Sequence, residues 1–126
     1  MKLFVSGPRY RRMTRILAVF LGVFPSAVLA FEPLTDGSEF RRLVFGNDLT
    51  RLGVRLQVRA DGRITGSGLG QPVYGEWEWR DGYFCRTLFW DGDDLGADCQ
   101  LVLRDGDRLR FVTERGAGIG ASFRIR

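Results

Sequence analysis

The chain has 126 residues with 19 Lys and Arg, 15 Asp and Glu, two Cys and no His, which is room for one domain and too little for two ordinary ones. Without His it lacks the residue most often used for proton transfer and a principal zinc ligand. The positive balance sits in residues 1–30, which hold five of the basic residues and none of the acidic ones; the remaining fourteen Arg face fifteen carboxylates, so the basic excess of a nucleic-acid-binding domain is missing.

Lys2, Arg9, Arg11, Arg12 and Arg15 precede an apolar run over 16–24, and Ala27-Val28-Leu29-Ala30 follows. This order predicts a secretory signal peptide over 1–30, cleaved after Ala30, and a single domain over 31–126. The apolar run is far short of the roughly 20 residues that cross a bilayer, and Arg11-Arg12 lacks the rest of a twin-arginine pattern. Met13 is an alternative start to Met1. The expected location is periplasmic or secreted, with the membrane met only during export. In an oxidising compartment Cys85 and Cys99 are expected to form a disulfide.

After a linker over 31–36, with Thr35 or Asp36 as cap, Phe40, Leu43 and Val44 recur at helical spacing, and Gly46 ends the turn. From residue 47 the pattern changes to period two. Val54, Leu56 and Val58 alternate with polar residues, a glycine-rich strand occupies 64–70, and strands follow over 74–80, 83–90, 99–103, 109–113 and 121–125. Asp-Gly pairs between the runs mark consecutive hairpins. The expected fold is an all-β antiparallel meander of about seven strands with one short N-terminal helix and one disulfide. Closure into a small barrel is left open, since a ligand-holding barrel ordinarily needs eight.

Three-residue loops are expected at 60–62, 80–82 and 105–107. They set Val58 opposite Ile64, Trp79 opposite Tyr83, Trp77 opposite Cys85, Leu103 opposite Leu109 and Leu101 opposite Phe111. The alternative at 81–82, a two-residue turn, pairs Trp79 with Phe84 but puts Cys85 on the face of Glu76 and Glu78. The first register buries the disulfide beside Trp77 and Trp79 and leaves Glu76 opposite Arg86.

The segment Gly75-Glu76-Trp77-Glu78-Trp79-Arg80-Asp81-Gly82-Tyr83-Phe84-Cys85-Arg86, with Cys99-Gln100 downstream and Gly46-Asn47-Asp48-Leu49 upstream, resembles a group of small exported bacterial β proteins, some of them named dihydrodipicolinate reductase. The resemblance implies a fold and a compartment and carries no catalytic residues with it. A nicotinamide reductase would need a glycine-rich turn between a strand and a helix. The runs 66–70 and 116–120 instead read as bends between strands.

Candidate sites are few. Phe84, Arg86, Leu88 and Trp90 make an expected binding patch on the face opposite Trp77 and Trp79, open to cover by the helix. Asp91, Asp93, Asp94 and Asp98 lie in an expected acidic loop over 91–98, whose oxygens suit a hard cation, although Leu95 and Val102 stand where a calcium loop needs ligands. Glu76 and Glu78 form a carboxylate pair on one strand face. Catalytic residues, cofactors and metals are not expected. The reading is a non-enzymatic binding or inhibitor-like module for an unknown protein or envelope component. A small-ligand carrier barrel is the alternative, and an enzyme of the reductase type the third.

Overall fold

The computed structural model describes residues 30–126 together with residues 18 and 22; apart from three positions, the signal peptide expected over 1–30 lies outside the described residues. No described helix is long and apolar enough to cross a membrane. The elements are β1 (Glu32–Pro33), α1 (Gly37–Val44), β2 (Leu49–Arg51), β3 (Val54–Val58), β4 (Arg63–Gly68), β5 (Gln71–Arg80), β6 (Tyr83–Trp90), β7 (Asp93–Asp105), β8 (Arg108–Val112) and β9 (Gly120–Ile125).

Strands β2 to β9 pair antiparallel in chain order, and β9 returns to β2, which closes an eight-strand barrel; β1 is an extra strand. β7 is long enough to serve two neighbours, β6 over its first half and β8 over its second. Beyond the start of β6, β1 takes the vacated place, with Glu32 opposite Arg104 and Pro33 opposite Leu103. Among the described residues the meander, the one α-helix and the disulfide agree with the sequence. The strand count rises because β1 and β2 are too short to show alternation, and residues 93–98, expected as a loop, lengthen β7.

Helix α1 plugs one end of the barrel. Asp36 caps it, accepting from the Ser38 N–H at 2.9 Å, and Glu39 binds Arg104 of β7 at 2.9 Å. Phe40 and Val44 are fully buried. The Phe40 ring stacks on Trp79 at 4.8 Å and meets Phe84 at 5.3 Å, with Trp77 and Phe111 around it. Leu49, Val58, Ile64, Val102 and Leu109 complete the core. Two indole N–H groups bind backbone across strands: Trp77 donates to the Arg59 carbonyl at 2.9 Å and the half-buried Trp90 to the Gly68 carbonyl at 2.8 Å. An eight-strand interior is just wide enough for side chains to fill, and here they fill it.

The loop at 60–62 has the expected three-residue form, with Val58 opposite Ile64. The other two registers are corrected. Asp81 and Gly82, at φ 53° and 81°, form a two-residue turn of the primed type that follows strand twist, so Trp79 faces Phe84, Trp77 faces Arg86 and Glu78 faces Cys85. Gly106-Asp107 is likewise a two-residue turn, pairing Val102 with Phe111 and Arg104 with Leu109. The premise at fault was a core disulfide. Cys85 lies on the outer face with Glu76 and Glu78, and the carboxylates stay in water.

Gly66 and Gly75 let neighbouring backbones approach. A methyl group on Gly66, whose φ is 150°, would collide with the Arg55 carbonyl, and one on Gly75 with the Thr87 carbonyl. Backbone cannot swing aside as a side chain can. Gly66→Ala is therefore expected to lower unfolding free energy by about 3 kcal/mol, measurable by denaturant titration; a change within error would mean that β3 and β4 are less tightly apposed.

Candidate functional site

Because Trp77, Trp79 and Phe84 point inward, alternation sends Glu76, Glu78, Cys85 and Thr87 outward. Cys85 of β6 and Cys99 of β7 stand directly opposite each other and are bonded. Such a bond belongs to an oxidising, non-cytoplasmic compartment. The disulfide floors an outward-opening saddle of about 960 Å³ across β4 to β7.

One wall is the β3–β4 turn, where Arg63 binds Asp61 at 3.0 Å. The Arg63 backbone N–H, then its guanidinium, hold the exposed Asp61 carboxyl below its ordinary value. Arg80 pairs with Glu78 at the rim. The other wall comes from the β8–β9 connection. Glu114 and Arg115 both have φ 54°, and Gly116 has φ 99°, a short left-handed turn in a region that costs a non-glycine residue about 1–2 kcal/mol.

Four contacts hold that turn. The Asp98 carboxylate accepts the Glu114 N–H at 3.1 Å, the Thr113 carbonyl accepts from Gly116 at 3.1 Å, the Glu114 carbonyl accepts from Ala117 at 3.0 Å, and Gly116 abuts the Leu101 side chain. The Arg115 guanidinium lies 5.3 Å from the Tyr83 ring centre. Backbone strain that the surroundings enforce is concentrated at binding and switch sites.

Phe84, Arg86, Leu88 and Trp90 do share a strand face, but it is the one turned to the barrel interior, and Arg86 also borders the saddle. Phe84 is buried in the core, Leu88 packs against that core, and Trp90 is half-buried over Gly68. The expected external patch is thereby corrected. Arg86 donates to the Gly96 carbonyl at 2.9 Å; burial lowers its pKa, and the Asp98 charge opposes that shift. It does not face Glu76, whose opposite residue is Thr87.

The four aspartates disperse. Asp91 is in the β6–β7 turn, Asp93 and Asp94 begin β7, and Asp94 accepts the Gly96 N–H at 2.7 Å. Asp98 turns instead to Glu114. Among the described residues no three Asp, Glu, Cys or His side chains gather as a metal site. Sequence reasoning missed Tyr83, Glu114 and Arg115 because the run after Thr113 carries only glycines as a signal. Each glycine-rich run leads into a strand, β5 or β9. No family model, curated protein or solved structure matches the chain.

Proposed function

We propose that this chain is an exported, periplasmic or secreted, non-enzymatic binding or inhibitor-like module whose partner is a protein or envelope component docking on the disulfide-floored saddle. The observation that carries the reading is the left-handed turn at Glu114 and Arg115, braced by Asp98 at the saddle wall. A wide, shallow, mixed-charge surface suits a protein loop better than a small molecule, which needs an enclosing, mostly apolar pocket. A carrier would need room inside the barrel, and that room is taken by Phe40, Val44, Leu49 and Leu109.

Arg115 is exposed and pre-set on an aromatic ring, the form that interface anchors commonly take. Arg115→Glu is expected to leave the melting temperature unchanged and to weaken partner binding by about thirty-fold. The assay is capture from envelope extract on immobilised protein. A component held by wild type and lost by R115E supports the reading. Equal retention by both, or none by either, contradicts it.

A further inference from the structure

Net charge conceals how the charges are placed. On the outside of β8, β9, β2 and β3 stand Arg108, Arg110, Arg124, Arg126 and Arg55, and Arg51 ends β2; all six are exposed. Thr50, Arg51, Arg55, Arg124 and Arg126 line a groove of about 530 Å³ there. The acidic side chains nearby are Asp48, held by Arg55 and Gln57 at 2.8 Å each, and Asp107, 3.8 Å from Arg124. Asp48 and Asp107 precede β2 and β8, at the barrel end that α1 plugs. Asp91, Asp93 and Asp94 belong to the β6–β7 hairpin, on strands opposite β2 and β3 in the barrel order but at the same barrel end as Leu69, where the Asp91 N–H donates to the Pro72 carbonyl at 2.9 Å.

At the other end of this basic face the connections carry apolar tips. Leu52 is 99% exposed, Ile119 84% and Leu69 72%. Leu52 lines the same groove, and Leu69 packs against Gly53, whose carbonyl accepts its N–H at 2.7 Å. Leu69 has φ 50°, so a bulky residue is both strained and exposed where Asn or Gly would be free of either penalty.

We propose that this face docks on an anionic phospholipid surface, the arginines taking headgroup phosphates while Leu52, Leu69 and Ile119 enter the acyl boundary. Arginine forks match phosphate geometry, and each basic residue near an anionic leaflet contributes about fivefold in partition. The tips decide between polyanions. Aliphatic side chains gain from hydrocarbon, whereas single-stranded nucleic acid is gripped by aromatic rings. The arginines stand on β8, β9, β2 and β3 and the saddle floor on β4 to β7, the two surfaces meeting at the β8–β9 connection, and the basic face would give the module a contact with the membrane after export.

The test is co-sedimentation of the full chain, purified as the cell processes it, with vesicles of phosphatidylcholine alone or mixed with phosphatidylglycerol. Wild type is expected on the mixed vesicles, with binding that falls as salt rises. The pair Arg110→Glu and Arg126→Glu should lose at least twenty-five-fold. The pair Leu52→Ser and Leu69→Ser should lose about tenfold while retaining wild-type binding to soluble polyphosphate. These side chains are exposed, so unchanged melting temperatures will show that the variants fold. Equal sedimentation of wild type and variants, or failure of wild type to bind mixed vesicles, overturns the proposal. A loss of polyphosphate binding in the leucine pair, or full vesicle binding despite it, identifies a general polyanion surface and overturns it too.

Discussion

Phe40→Ala is expected to lower the free energy of unfolding by about 3–5 kcal/mol. The side chain is fully buried and touches four aromatic rings from three strands. Its removal leaves a void in the barrel end that α1 closes, and rings fixed by β5, β6 and β8 cannot collapse into it. Against a total of about 5–15 kcal/mol for a domain this size, the variant should be marginal at room temperature. Denaturant titration measures the loss. A cost below about 1 kcal/mol would mean that the helix rests on the barrel without plugging it.

Replacing both cysteines, Cys85→Ala with Cys99→Ala, is expected to cost about 3 kcal/mol by the loop-entropy estimate. The two are 14 apart in sequence and are bonded across adjacent strands on the outer face. Their loss therefore opens no hole beside Phe40, and the native state keeps its tryptophan environment. The effect acts chiefly on the unfolded chain. Melting should fall while near-ultraviolet circular dichroism of the folded variant stays wild-type. If that signal collapsed below the melting transition, the disulfide would be organising the core from within, as its expected burial beside Trp77 implied.

The meander was legible because alternation and Asp-Gly punctuation are local properties. The helix was legible too, because Asp36 and the Phe40, Leu43, Val44 spacing act within a few residues. Register was not. The Asp-Gly dipeptide serves a three-residue loop at Asp61-Gly62 and a two-residue turn at Asp81-Gly82, and the choice depends on which face each flanking strand must bury. That choice was settled by assuming a core disulfide, and the error turned Phe84, Arg86, Leu88 and Trp90 from lining into surface. Barrel closure was hidden in β2, three residues long, whose pairing with β9 joins the two ends of the chain's described part.

The candidate site was mostly unreadable for a related reason. The saddle joins Asp98 to Glu114 and Tyr83 to Arg115, contacts between distant parts of the chain. The left-handed turn has no composition of its own beyond glycines. The basic face was concealed by a sum, because fourteen arginines against fifteen carboxylates look neutral until the strand order separates them.

The most direct test of the outward-facing account is a backbone amide chemical-shift map of the disulfide-bonded protein titrated with whatever component the wild-type bait retains. Shifts confined to Glu76, Thr87, Asp98, Glu114 and Arg115, with Leu88, Trp90 and Val102 unmoved, are the expected result. Shifts centred on those inner positions would place the ligand inside the barrel and contradict the account.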